Sequence, residues 1–108
     1  MSLNIAVVGY NYELSCRAIR LIAENDINAE IKIARKNEIL MNDETKYKAF
    51  PTYNHVRGHC IYQIIIVDDS RWNVYEHQDE LIEWLKYRLD YTSYVPEEFQ
   101  IQRYKMVR

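Results

Sequence analysis

Residues 4–10, Asn-Ile-Ala-Val-Val-Gly-Tyr, form a short, nearly unbroken apolar run, and from Glu13 onward the apolar positions change period. A β-branched run of this length suits a strand buried on both faces. Leu14, Ala18, Leu21 and Ile22 then recur at helical spacing, with Arg17, Arg20 and Glu24 on other faces, until Asn25-Asp26 or Asn28 ends the pattern. Residues 29–35, Ala-Glu-Ile-Lys-Ile-Ala-Arg, alternate apolar and charged side chains, as a strand with one exposed face does. Strand, helix and strand with short joints predict a βαβ unit, with the two strands parallel and the crossover right-handed.

Beyond this unit the signals weaken and then return. Residues 37–50 predict a helix, with Asn37 or Asn42 as its cap, a stripe of Ile39, Leu40, Tyr47 and Phe50, and Pro51 as its stop. Residues 51–59 predict a loop. Residues 60–67, Cys-Ile-Tyr-Gln-Ile-Ile-Ile-Val, carry the strongest strand signal in the chain. Asp68-Asp69-Ser70-Arg71 predicts a turn, and Trp72 to Glu76 a returning hairpin strand. From Gln78 or Asp79 to Leu89, the stripe Leu81, Ile82, Leu85 and Leu89 predicts a final helix. These elements make one domain over residues 1–90. Residues 91–108, with Tyr91, Tyr94, Pro96 and Phe99, are expected as a C-terminal tail packed on the domain or on a partner protein.

Composition removes several classes of function. At 108 residues the chain suits a single domain with one modest core. Its net charge of −2, without a single-sign block, gives no electrostatic footprint for nucleic acid. The longest apolar run, Ile64 to Val67, is far too short to span a membrane, and no secretory leader is visible, so a cytoplasmic protein is expected. Cys16 and Cys60 are the only two cysteines, which is no disulfide framework. Gly9 and Gly58 are the only glycines, too few for a phosphate-cradling loop. His55, His59 and Cys60 do not have zinc-ligand spacing, so no metal is expected. Ser15 lacks the surroundings of a nucleophile elbow, and Asp68-Asp69 reads as a solvated turn.

Three stretches carry a resemblance. Tyr10 closes the first strand, and Glu13-Leu14-Ser15-Cys16 opens the helix with Ala18 just beyond. Cys60-Ile61-Tyr62 leads into Gln63-Ile64-Ile65-Ile66-Val67-Asp68, and Tyr75-Glu76-His77-Gln78-Asp79 opens the last helix. In position and order these resemble the Cys-Pro-Tyr-Cys, Thr-Val-Pro and Gly-Gly-x-x-Asp marks of the glutaredoxin family. Glu13 stands where the family has its first cysteine, Tyr62 where it has a cis-proline, and Tyr75 and Glu76 where it has the glycine pair. The resemblance covers roughly residues 4–89. It implies a three-layer thioredoxin-like α/β fold, β-α-β-α-β-β-α, with a four-stranded mixed sheet and a C-terminal extension.

The activity implied by the resemblance is glutathione-linked thiol–disulfide exchange, of the sort seen in small divergent glutaredoxins carried by bacteriophages. Cys16 would carry the exchange, with Arg17 beside it. Ile61, Tyr62 and Asp79 would line the position of glutathione, a co-substrate rather than a tightly bound cofactor. Cys60 would be a second thiol. A cysteine near a helix N-terminus is favoured as the thiolate by the unpaired N–H groups and the helix dipole. The structural reading of the same residues makes Cys16 a small apolar group under the helix and Asp79 a helix cap. The alternative function is a non-catalytic protein-binding module on the same scaffold. It would use the tyrosine-rich tail or the emptied active-site face.

Overall fold

In a computed structural model, residues 3–9, 11–51, 61, 63–68, 83, 86–87 and 100–105 are described. The first two predicted elements are present. Strand β1 spans Asn4–Val8 and helix α1 spans Tyr12–Glu24. Asn11 caps α1: its backbone is extended and its side-chain oxygen accepts the Leu14 N–H at 2.8 Å. The buried face of α1 runs through Leu14, Ser15, Cys16, Ala18, Ile19 and Ala23. It is therefore turned from the expected stripe, and Leu21 lies at its edge. Ser15 and Ala18 are small, so they let the helix axis approach the sheet closely.

Four further strands follow: β2 (Ile31–Ala34), β3 (Glu38–Met41), β4 (Lys46–Phe50) and β5 (Gln63–Asp68), and then β6 (Ile101–Lys105). They form one six-stranded sheet in the order β2-β3-β4-β1-β5-β6, rather than the four-stranded sheet expected. β1 is central and parallel to both neighbours, with Val8 level with Phe50 of β4 and Ile66 of β5. β5 and β6 are also parallel, while β2-β3 and β3-β4 are antiparallel. The chain is thus α/β with a mixed sheet.

Two expectations are corrected here. Residues 37–50 are not a helix but a hairpin, β3 and β4. The strands of the expected first βαβ unit, β1 and β2, are not neighbours: β2 is an edge strand paired antiparallel to β3. The parallel partner of β1 on that side is β4, reached through the hairpin. The strand expected at 72–76 lies outside the described residues, and the neighbours of β5 are β1 and β6. Within the stretch read as a tail, Ile101–Lys105 is a strand of the sheet. Parallel strands require a crossover, and the β5–β6 connection includes the helical residues Glu83 and Lys86, paired at 3.2 Å.

α1 lies on one face of the sheet. Ile5 and Val7 of β1, Ile39 and Met41 of β3, Tyr47 and Ala49 of β4, and Ile65 and Val67 of β5 join its apolar face in one core. Each large aliphatic side chain buried there contributes about 1.5–3 kcal/mol. The alternate residues Ala6, Val8, Phe50, Ile64 and Ile66 are buried as well. The central strands are therefore covered on both faces, as their unbroken apolar sequences require.

Candidate functional site

Strands β1, β4, β5 and β6 run parallel, so their carboxyl ends share one edge of the sheet. In open α/β sheets that edge is the usual place for a ligand, above all where neighbouring connections leave a strand in opposite directions. β1 has such a position, with α1 rising from its end and β4 and β5 on either side.

At the β1–α1 joint the polar groups are already partnered. The Gly9 N–H donates to Ser15 Oγ at 2.7 Å. Ser15 Oγ lies 2.7 Å from the Phe50 carbonyl and 3.1 Å from the Asn11 carbonyl. A hydroxyl has one proton, so the shorter contact to Phe50 is the better donor path. Ser15 thus joins the ends of β1 and β4 to α1, fully buried. Leu14 N–H is held by the Asn11 side chain and Ser15 N–H by the Asn11 carbonyl. An ideal Cβ on Gly9 would lie 3.0 Å from Ser15 Oγ and 3.1 Å from Ser15 N, so glycine gives the joint its closeness. Of the N–H groups that a phosphate would use, those of Gly9 and Leu14 are spent within the protein. Glu13, exposed in the first turn, adds a negative charge there.

Around this joint is a second group of side chains. Tyr12 is half-buried. Burial raises its hydroxyl pKa above the ordinary tyrosine value, a hydrogen bond and charge interaction with Cys16 add to the rise, and a hydrogen bond with Asn37 opposes it. The Lys36 ammonium lies 5.9 Å from the Tyr12 ring centre, at the outer limit of a cation–π contact. The Asn37 carbonyl accepts the Ala49 N–H at 2.9 Å, which fixes the β2–β3 turn beside the start of α1.

The residues singled out from sequence fall into three groups. Cys16 is 9% exposed and belongs to the core under α1, with its thiol free. Arg17 is exposed on another face of α1. Adjacent helical residues point about 100° apart, so it does not share the thiol's surroundings. Ile61 is buried. Cys60, Tyr62 and Asp79, as well as His55 and His59, lie outside the described residues. Ser15, passed over as a nucleophile, has a structural role. Tyr12, Lys36 and Asn37 were not singled out. The one local signal was the helical i, i+4 spacing of Tyr12 and Cys16; the approach of Lys36 and Asn37 depends on the unexpected β2–β3 hairpin.

Among the described residues no three His, Cys, Asp or Glu side chains are grouped as metal ligands, and no helix is long and apolar enough to cross a membrane. The sequence matches no protein-family model and no curated protein.

Proposed function

We propose that this chain is a non-catalytic binding module, engaging a partner protein at the carboxyl edge beside the start of α1. The observation that carries this reading is the burial of Cys16. Among the described residues at this edge the thiol is the group with covalent chemistry, and it is packed in the core. The groups left towards solvent, Tyr12, Lys36 and Glu13, suit contact rather than reaction. Tyrosine, with an apolar ring and a polar tip, is enriched at protein interfaces. The test is an exchange assay with hydroxyethyl disulfide and glutathione. The wild type and Cys16→Ser are expected to be indistinguishable from background. Turnover in the wild type that vanishes in Cys16→Ser would sink the proposal.

The second reading is glutaredoxin-like thiol–disulfide exchange on a thioredoxin-like scaffold. It is favoured by the position of Cys16 in the helix that follows the first strand, with the Tyr12 hydroxyl as its neighbour. In this reading the Cys16 thiolate attacks the glutathione sulfur of a mixed disulfide, forms a Cys16–glutathione disulfide and releases the other thiol as thiolate. A second glutathione thiolate attacks that disulfide, frees the Cys16 thiolate and leaves as oxidised glutathione. The core position of Cys16 requires α1 to open for the first step, so alkylation of the native protein would proceed as fast as that of a model thiol only if such opening is frequent.

A further inference from the structure

Among the described residues the sheet ends at β2, with no strand on its outer edge. All four β2 residues are exposed, including Ile31 at 38% and Ile33 at 44%. Exposed isoleucines on an open edge invite pairing with another strand. The edge also has available backbone groups. Arg35 N–H bonds back to the Glu38 carbonyl at 2.9 Å, so Arg35 and Glu38 face each other at a hydrogen-bonded position. Hydrogen-bonded and non-hydrogen-bonded pairs alternate along an antiparallel ladder. Ala34, opposite Ile39, is therefore at a non-hydrogen-bonded position and turns its N–H and C=O outward.

Charge selects the occupant. Residues 30–36, Glu-Ile-Lys-Ile-Ala-Arg-Lys, have three cations and one anion in a chain whose net charge is −2. Among the described residues, neither Lys32 nor Arg35 has an ion-pair partner. A second copy would bring an equally cationic strand to this edge. Lysine on an edge is a usual means of preventing self-association. The same lysine and arginine attract a strand of opposite charge, which is how repulsive elements confer specificity. We propose that β2 is a docking edge for an extended acidic segment of a partner protein. The segment would add antiparallel or parallel to β2, its backbone meeting the Ala34 groups and its carboxylates meeting Lys32 and Arg35; because Ile31 is level with Met41 and Ile33 with Leu40, the two isoleucines lie on opposite faces and would be covered by apolar residues on either side of the added strand. This edge reaches the candidate site only at Lys36, which lies over Tyr12, and the inference, resting on Ile31 to Arg35, holds whether or not Cys16 exchanges disulfides.

The test uses the full chain, isotope-labelled, with two synthetic peptides of valine and charged residues, valines on both faces of the extended strand, one glutamate-based and one lysine-based. The glutamate peptide is expected to bind, with amide shift changes concentrated at residues 31–36. Its affinity should fall at least about tenfold when salt is raised from 50 to 500 mM, because exposed charge contacts are screened. It should fall similarly in the Lys32→Glu/Arg35→Glu double variant, a surface change that leaves the core intact, and Ile33→Thr should weaken binding without altering its salt dependence. Equal binding of the two peptides, an unchanged affinity in the double variant, or shift changes away from β2 would overturn the proposal. So would a concentration-dependent dimer, seen by sedimentation, that the double variant abolishes.

Discussion

The side chain of Ser15 holds three elements at one point. Its hydroxyl accepts from Gly9 and donates to Phe50, so removing it takes the partner of the buried Gly9 N–H and one donor from the Phe50 carbonyl. An unsatisfied buried polar group costs about 1–3 kcal/mol. Ser15→Ala is therefore expected to destabilise the fold by roughly that amount, measured by urea unfolding, with Ser15→Cys intermediate because a thiol is a weak donor. Gly9→Ala should be comparably harmful, because its Cβ would press on Ser15 Oγ and backbone. Tyr47 gives a second prediction of this scale. Its hydroxyl pKa is pushed up to about 12 by burial first, then by the charges of Asp26 and Asp43 and a hydrogen bond to Asp26. A tyrosine whose pKa is higher in the folded state stabilises the fold below its unfolded pKa of 10.0, and this contribution is lost as the pH rises from 10 towards 12. The loss is of order 2 kcal/mol. Tyr47→Phe should flatten unfolding stability over that interval relative to wild type. An equally steep loss in both proteins would show that another group titrates.

The elements differ in how plainly the sequence announced them, and the reason is physical. β1, α1 and the body of β5 have long, pure periodicities, because each buries a continuous apolar face. Residues 37–50 predict a helix because Ile39, Leu40, Tyr47 and Phe50 have roughly helical spacing. In fact Ile39 and Tyr47 sit opposite one another across the hairpin. Their turn also lacks the glycine that usually marks such a connection. Met41 N–H bonds the Thr45 carbonyl, Glu44 N–H bonds the Met41 carbonyl, and Asp43 Oδ1 accepts the Thr45 N–H. Glu44 therefore adopts φ 72°, a conformation that glycine takes without steric cost. A non-glycine residue costs about 1–2 kcal/mol there, partly offset by the chain entropy glycine would lose. Glu44→Gly is expected to be neutral to stabilising by about 0.5–1 kcal/mol. Glu44→Val is expected to destabilise by more than 1 kcal/mol, since a β-branched side chain suits that φ worse. Thermal melts of the pair should separate by several degrees with the hairpin register unchanged. Lower stability of Glu44→Gly than of Glu44→Val would mean that the turn has another geometry. The candidate site depended on this same hairpin. Cys16 was visible as a cysteine near a helix start. Whether it faced core or solvent followed from the rotation of α1, and the neighbours of Tyr12 followed from where the β2–β3 turn lands.

At the scale of the molecule the sheet is assembled from distant parts of the chain. β1 pairs with β4 and β5, and β5 pairs with β6 across more than thirty intervening residues. Pairings this remote in sequence cost loop entropy before they return stability. β6 is where this matters most. Its sequence, Ile-Gln-Arg-Tyr-Lys, offers little apolar alternation, which is why it was legible only as part of a tail. It nonetheless occupies the whole outer edge of β5, from Ile64–Ile101 to Asp68–Lys105, and Tyr104 packs against the main core. Ending the chain after Gln100 would uncover that edge and the flank of a strand made of Ile64, Ile65, Ile66 and Val67. Domains of this size have only about 5–15 kcal/mol of stability in total. Losing five residues of ladder and the Tyr104 contact is expected to remove several kcal/mol of it. The shortened chain should show loss of cooperative thermal unfolding or aggregation through the exposed β5 edge. The substitution Tyr104→Ala in the full chain gives the graded counterpart. It keeps the backbone ladder, so unfolding should remain cooperative with stability lowered by roughly 1–3 kcal/mol, a range set by the partial burial of the ring. A shortened chain that melts as cooperatively as the full one would show that β6 adds little to the domain, and that the sheet is complete at β5.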